Sequence, residues 1–168
     1  RWAVNNGLIG ESLYNLISPQ ATLAAHRKNF TMIPYAPPTG TDRGFVQIVP
    51  ETPKMRTGGL VGVHGWSFAR HAAAVHMDKS RSQSIVFGHV HRQELKVSRD
   101  PWTGRLIKAF CPGTLSKLQP LYFVGGAPSD WTHGFALLYV GSTSWTEYLI
   151  SIVNGRCVLP DGQEVILT

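Results

Sequence analysis

Apolar residues recur at two different spacings along this chain, and the change of spacing predicts its elements. From Gly10 to Asn29 they recur at helical spacing, interrupted by a Ser-Pro pair, which predicts two short helices. The segment 30–59 is rich in proline and glycine. Its apolar run, Phe45–Val49, predicts an edge strand between two loops.

A strand, a helix and a second strand are predicted over residues 60–87. Leu60–Val63 and Ile85–Phe87 are short apolar runs, and between them Ser67 is placed to cap a helix over Phe68–Lys79. Each strand is followed by a histidine and a glycine. In an open α/β sheet, ligands bind at the carboxyl ends of the strands, so this edge is the first candidate for a site.

The rest of the chain predicts antiparallel hairpins. One hairpin is expected to turn at Asp100–Gly104, and the later apolar runs are separated by Asn154-Gly155 and Asp161-Gly162, which are strong turn signals. We therefore predict an α/β fold in which a mixed sheet is followed by antiparallel strands. At 168 residues without an internal repeat, a single domain over 1–168 is expected.

The net charge of the chain is a weak indication of its partners. Sixteen Lys and Arg against ten Asp and Glu give a net charge of +6, which favours an anionic partner such as nucleic acid or a phosphorylated substrate. The basic residues are scattered along the chain, however, so a solvated surface is the plainer interpretation.

Cysteine spacing and hydropathy predict the compartment. Cys111 and Cys157 lack C-x-x-C spacing, which predicts free thiols in a reducing environment. There is no apolar run of membrane length and no signal-peptide pattern, so we expect a cytoplasmic protein without a membrane partner. The chain begins at Arg1 rather than at methionine, which we interpret as a processed or partial chain.

Three of the seven histidines stand where a metal site would form. If the chain stays extended after Phe87, His89 and His91 point to the same face, because strand side chains alternate. His64 ends the preceding strand, and a strand–helix–strand crossover brings neighbouring parallel strand ends together. Three imidazoles would then converge on an ion such as Zn, Fe or Mn. The alternative is a pair of surface histidines in a turn.

Carboxylates are expected to complete such a site, because three neutral imidazoles leave the charge of a divalent ion uncompensated. The candidates in this chain are poor. Asp78, Glu94 and Asp130 have no ligand spacing to the histidines.

The remaining histidines are weaker candidates. His71 and His76 are five residues apart on the predicted helix, which is not same-face spacing, so surface or packing roles are expected. His26 and His133 are isolated, and only His133 is placed to approach the site from the antiparallel end.

Three segments occur in a recognisable order: "GLVGVHGWSFA", "SIVFGHVHR" and "CPGTL". In this respect the chain resembles phage and bacterial members of the calcineurin-like metallophosphoesterase superfamily, which share a strand ending in His, a helix, a strand ending in Gly-His-x-His, a Pro-Gly segment and an antiparallel finish. "DWTHGFALLYV" is similar to the phage-type members. The resemblance implies the C-terminal part of an α/β/β/α sandwich.

The resemblance also implies a site for two divalent metal ions, of Mn, Fe, Zn or Ni. His64 and His89 would bind one ion and His91 the other, while Arg92 would face the substrate phosphate. The first half of the family pattern, Asp-x-His, Gly-Asp-x-x-Asp and Gly-Asn-His-Asp/Glu, is absent before His64. The carboxylates and the general-acid histidine are therefore expected in an N-terminal half, supplied in cis or as a separate chain.

The function that this resemblance implies is metal-dependent hydrolysis of a phosphate monoester or diester, with nucleic acid among the candidate substrates. This chain alone, a partial domain with an incomplete active site, would be inactive or weak. The alternative is a non-catalytic module of the same fold that binds nucleic acid or a partner. A cupin-type barrel also uses H-x-H, but Glu147 with no following histidine matches it poorly.

Overall fold

The computed structural model describes residues 45–80, 83–116, 118 and 130–166. These residues lie in one compact unit, Asp42–Thr168. The two predicted N-terminal helices lie outside the described residues. A single domain over 1–168 therefore stays a prediction.

Strands dominate the described part of the chain, with one short helix between the second and third strands. In chain order the elements are β1 (Phe45–Val49), β2 (Leu60–Val63), α1 (Ala72–Lys79), β3 (Ser84–Phe87), β4 (Gln93–Arg99), β5 (Leu106–Pro112), β6 (Gly134–Val140), β7 (Trp145–Ser151), β8 (Arg156–Val158) and β9 (Glu164–Ile166).

The first five strands form one mixed sheet in the order β1-β2-β3-β5-β4. β2, β3 and β5 are parallel neighbours, while β1 and β4 are antiparallel strands at the two edges. β6 pairs with β7, and β8 pairs with β9, both antiparallel. The predicted mixed sheet followed by antiparallel strands is confirmed at this level, and a metallophosphoesterase-type sandwich is a finer claim that stays a prediction.

Both faces of the five-stranded sheet are covered, which explains the unbroken apolar runs of its central strands. Ile85 and Phe87 of β3 and Ala109 of β5 pack with α1 in one core cluster. The alternate residue Phe110 packs with Trp145 of β7 in a second cluster. The period of two along each strand thus divides its side chains between the helix side and the hairpin side.

The predicted start of the helix is wrong by four residues. Ser67 does not cap it: the Ser67 hydroxyl accepts the Ala69 N–H at 3.3 Å, and the helix begins at Ala72. Two tertiary bonds hold the intervening chain outside the helix. Trp66 N–H donates to His76 Nε2 at 3.1 Å, and Arg92 Nη2 donates to the Ala69 carbonyl at 2.6 Å.

The predicted turns are confirmed. Asp100 Oδ1 accepts the Trp102 N–H at 2.8 Å, which closes the β4–β5 turn. Asn154 and Gly155 have φ of +51° and +74°, the left-handed conformation that a two-residue hairpin turn requires. The helix of the described segments falls well short of the length and hydropathy that a membrane-spanning helix needs.

Candidate metal-binding site

His64 and His89 meet at the carboxyl edge of the sheet. β2 and β3 pair in parallel up to Val63 and Phe87, so the residues that follow the two strands lie side by side. Gly88 N–H donates to the His64 carbonyl at 3.0 Å, and His89 Nδ1 lies 3.0 Å from His64 Nε2. The expected convergence of these two imidazoles is therefore seen, and their role as metal ligands stays a prediction.

Gly65, directly after His64, stands where a side chain would be strained. Gly65 has φ of +109°, and a Cβ built on it would lie 3.0 Å from the His89 Cβ and 3.1 Å from the Gly88 carbonyl oxygen. A side chain there would push the two strand ends apart. The glycine that follows His64 therefore permits the close approach of the two imidazoles.

The chain is not extended between His89 and His91, so the expectation based on strand alternation is wrong. β3 ends at Phe87, and both histidines have positive φ, +74° at His89 and +57° at His91. Val90 N–H donates to the Gly88 carbonyl at 2.9 Å, which makes His89 the centre of a γ-turn. Left-handed backbone in a residue with a Cβ costs about 1–3 kcal/mol and concentrates at functional sites.

His91 carries a buried nitrogen without a hydrogen-bond partner. Within the described part of the chain, its Nδ1 is the buried side-chain polar atom that lacks one. Its ring stands edge-on to Trp131, with ring centroids 4.2 Å apart. Because a buried unsatisfied polar atom costs about 1–3 kcal/mol, such an atom marks a position where a ligand would be stabilising.

Within the part of the chain that the structure describes, no set of carboxylates completes a metal site at these histidines. Over residues 45–80, 83–116, 118 and 130–166, no group of three or more His, Cys, Asp and Glu side chains is arranged to hold a metal ion. Asp130 pairs with Arg92, and Glu94 pairs with Arg92 and accepts the Ala73 N–H at 2.8 Å. Both carboxylates are thus engaged by Arg92, and their weakness as metal ligands stays a prediction.

Arg92 is tied into the protein by all three of its nitrogen atoms. Nε donates to Glu94 at 2.6 Å, Nη1 donates to Asp130 at 2.9 Å, and Nη2 donates to the Ala69 carbonyl at 2.6 Å. These bonds join the start of β4 to two loops beside the histidines. The predicted role of Arg92 in facing a substrate phosphate stays a prediction, and its visible contacts are structural.

His76 is a residue whose importance the sequence pattern did not reveal. It is fully buried, and its ring stacks on Phe87 with centroids 3.9 Å apart and planes 7° apart. Nδ1 lies 2.7 Å from the Ala72 carbonyl and Nε2 accepts the Trp66 N–H, so the neutral Nδ1–H tautomer satisfies both. Packing was one of the two roles expected for it, and His71, as expected for the other role, is exposed.

Aromatic side chains surround the histidines. The Phe68 ring lies 3.9 Å from the His89 ring between centroids, and the Trp66 ring lies 4.5 Å from that of His76. Sequence reasoning missed these residues because it placed Phe68 in the helix. The available signal was the presence of Trp and Phe two and four positions after His64.

The environment favours the neutral form of two of these histidines, His89 and His76. Partial burial lowers the pKa of His89, and the neighbouring imidazoles of His64 and His91 lower it further. Burial also lowers the pKa of His76, although its bond to the Ala72 carbonyl opposes this. Neutral imidazole is the form that binds metal ions.

Of the remaining histidines, His133 bonds to a backbone carbonyl. His133 Nε2 lies 2.6 Å from the Ser116 carbonyl. The segment before β6 contacts the site through Trp131, whose ring lies against that of His91. His26 lies outside the described residues.

No protein-family model matches the chain, and no solved structure gives a significant match. Over 75 residues, 44% of this chain, it is 32% identical to the Gene 54 protein of Mycobacterium phage L5, and a match of the same extent gives 31% identity to the Gene 54 protein of Mycobacterium phage D29. The matched stretch spans 29% of the length of each relative. Neither name states an activity.

Proposed function

We propose that this chain contributes the imidazole ligands of a divalent metal site in a metal-dependent phosphoric ester hydrolase. The observation that carries the proposal is the pair His64 and His89, held 3.0 Å apart between nitrogens at the carboxyl ends of two parallel strands. Together with the Gly-His-x-His pattern, this supports the resemblance to calcineurin-like metallophosphoesterases and the corresponding sandwich fold.

The distance between the two nitrogens fits such a site both without an ion and with an ion bound. Without an ion, one imidazole donates its N–H to the other. Two nitrogens bound to one ion at about 2.0–2.1 Å each lie about 3 Å apart for the usual coordination angles, so this pair needs little movement to bind. The unpartnered Nδ1 of His91, one residue beyond Val90, supplies a third candidate donor.

The residues around the pair orient it and keep it ready to bind. The Gly88 N–H bond to the His64 carbonyl fixes the two strand ends, and the γ-turn aims the His89 ring at His64. Lowered pKa at His89 keeps that imidazole unprotonated. A bound divalent ion would hold the phosphate and lower the pKa of a water molecule that attacks phosphorus.

The described residues supply nitrogen donors without a matching set of carboxylates. Under this proposal the oxygen ligands and the general acid come from another segment in cis or from a separate chain. Metal binding and turnover by the 168 residues alone are therefore expected to be weak. The activity of the whole protein is part of the proposal.

Two measurements test this function. Titration of the full chain with Mn²⁺ is expected to show a site that His64→Ala and His89→Ala each weaken tenfold or more, while the exposed control His71→Ala leaves it unchanged. A phosphodiesterase assay with Mn²⁺ and bis(p-nitrophenyl) phosphate is expected to show low activity that depends on His89. Robust activity that survives His89→Ala would contradict the proposal.

A further inference from the structure

We infer that Phe68 and Trp66 form a stacking platform for a nucleobase beside the His64–His89 pair, so that the substrate of this site carries a base within one nucleotide of the reacting phosphate. The inference rests on the proposed function, which places a phosphate at the imidazoles. It adds the substrate class, a nucleotide or a single strand of nucleic acid.

Phe68 is exposed in a way that packing does not explain. The side chain is 74% exposed, although its ring contacts His89 at 3.9 Å between centroids. Leaving a Phe side chain in water forgoes the free energy that its burial would contribute. Trp66, two residues earlier, is also exposed over nearly half of its surface. Two aromatic residues of the loop that follows His64 are therefore open to solvent, Phe68 with its ring on His89 and Trp66 with its ring on His76.

The segment that carries these rings is held in place from both sides. Trp66 N–H donates to the buried His76, and the Ala69 carbonyl accepts from Arg92, whose guanidinium is itself fixed by two carboxylates. Neither bond involves the Phe68 ring, so the exposed ring is positioned by the backbone around it. A preorganised aromatic ring loses little conformational entropy when a ligand stacks on it.

Positive charge follows the platform along the chain. Arg70 and Lys96, the latter in β4, line a cavity of about 330 Å³. Glu94 also lines this cavity, but its carboxylate is occupied by Arg92 and by the Ala73 N–H. The cavity therefore offers cationic groups for the phosphate of a neighbouring nucleotide.

The combination of features specifies the ligand chemistry. Aromatic faces bind bases of any sequence by stacking, and an adjacent cationic groove follows the phosphates. A simple phosphate monoester would use the imidazoles and leave the rings uncovered. The arrangement therefore fits a ligand in which a flat base and a phosphate are joined through a sugar.

The experiment compares ligands that differ only in the base. The 168-residue chain is titrated, by fluorescence anisotropy, with end-labelled hexathymidylate and with an abasic hexamer of the same charge. The base-containing strand is expected to bind roughly tenfold more tightly, in the range of stacking on one or two rings. Phe68→Ala should remove most of this preference, and Phe68→Tyr should retain it.

Trp102→Ala is the matched control. Trp102 is an exposed aromatic residue, 94% accessible, in the β4–β5 turn. That turn precedes β5, which runs parallel to β3, so it lies at the amino edge of the sheet, opposite the histidines. Its replacement should leave the preference for the base unchanged.

A second set of ligands distinguishes a single strand of nucleic acid from a free nucleotide. Thymidine 5′-monophosphate is compared with 2-deoxyribose 5-phosphate by competition against the labelled strand. A preference confined to the strand supports single-stranded nucleic acid, and a preference in both sets supports the nucleotide unit itself. Equal affinity with and without the base in both sets, or a preference that survives Phe68→Ala, overturns the inference.

Mn²⁺ titration of the same variants distinguishes failure of the proposed metal site from failure of the base-stacking inference. Phe68→Ala should leave Mn²⁺ binding within twofold of the wild type, because the ring supplies no metal ligand. A base preference without a histidine-dependent Mn²⁺ site would overturn the hydrolase function and the substrate assignment while leaving a base-binding surface. A histidine-dependent Mn²⁺ site without a base preference would overturn this inference alone.

Discussion

His76 shows how one buried imidazole supports the loop that follows His64. Its Nε2 accepts the Trp66 N–H, and its ring packs between Trp66 and Phe87. Protonation of Nε2 would convert this acceptor into a donor that faces another N–H. The buried site therefore favours the neutral ring, which agrees with the lowered pKa of His76.

The folded protein is expected to lose stability as the pH falls below about 6.5. The pKa of His76 is lower in the folded state than the unfolded value of 6.5, so the unfolded chain takes up a proton first. The stability that the neutral His76 ring contributes to the fold is fully present above pH 6.5. As the pH falls from 6.5 towards the folded pKa, this stability is lost at up to about 1.4 kcal/mol per pH unit. Urea denaturation at pH 7.5 and at pH 5.0 measures it.

His76→Phe keeps the stacking volume and removes the titrating group. Its stability should therefore be lower at pH 7.5, since two hydrogen bonds are lost, and should fall less between pH 7.5 and pH 5.0. His89, whose pKa is also lowered, contributes with the same sign and remains in this variant. The exposed control His71→Ala should keep the full pH dependence; an unchanged pH dependence in His76→Phe would contradict the assignment.

Single-residue chemistry could be predicted in part. His64 and His89 were found from their places at strand ends, because apolar runs followed by His and Gly are visible in the sequence. The positive φ of His89 and His91 was not found, because histidine adopts that conformation more often than most residues but still in a small minority of cases, so the residue type alone does not mark it. The turn is stabilised by tertiary contacts such as the Gly88 N–H bond to His64.

At the scale of elements, the β2–α1–β3 crossover brings the site together. Parallel pairing of β2 with β3 puts both strand ends at one edge, and α1 packs over them. Glu94 of β4 anchors the first turn of α1, since its carboxylate accepts the Ala73 N–H. The same carboxylate pairs with Arg92 at 2.6 Å, so it connects the helix with the loop segment that carries Phe68.

Glu94→Gln is expected to lower the free energy of unfolding by about 1–2 kcal/mol. The change keeps the shape of the side chain but removes the charge from two charge-assisted hydrogen bonds in a mostly buried position. Urea denaturation at pH 7.5 provides the measurement.

Glu164→Gln is the control for this prediction. Glu164 pairs with Arg156 at 3.3 Å, and both side chains are more than half exposed. Exposed pairs contribute little, so the control should lie within about 0.5 kcal/mol of the wild type. Equal effects of the two substitutions would show that Glu94 does not anchor the helix.

The elements themselves were largely predictable, and their ends were not. Strand positions followed from apolar runs, and the turn at Asn154-Gly155 from residues that tolerate positive φ. The start of α1 was misplaced because Ser67 has the sequence of a cap. The competing bonds come from His76, ten residues away, and from Arg92, and nothing local to Ser67 indicates them.

At the scale of the whole described unit, two layers cover the five-stranded sheet. One ion pair crosses from the sheet to the β6–β7 hairpin: Lys108 of β5 contacts Glu147 of β7 at 2.5 Å, with side chains only 12% and 7% exposed. The Lys108 ammonium also lies 5.0 Å from the Trp145 ring. The pair therefore lies in a largely dry region between the sheet and the hairpin.

Removing one partner of this pair is expected to destabilise the protein far more than removing both. Lys108→Met leaves the Glu147 carboxylate buried without its partner, which should cost about 3–5 kcal/mol. The double variant Lys108→Met with Glu147→Leu should recover most of that loss, because no uncompensated charge remains. Thermal denaturation of the wild type, both single variants and the double variant measures the coupling; additive losses would contradict it.

The sequence by itself determined the strands, most turns and the candidate histidines, because apolar periodicity and turn residues act over a few neighbouring positions. The tertiary structure decided which groups meet. It paired His64 with His89, left the Nδ1 of His91 without a partner, and tied Arg92 into contacts with Glu94 and Asp130. It also exposed Phe68 beside the pair. These outcomes depend on strand pairing and loop anchoring between residues far apart in the chain, and no local pattern records them.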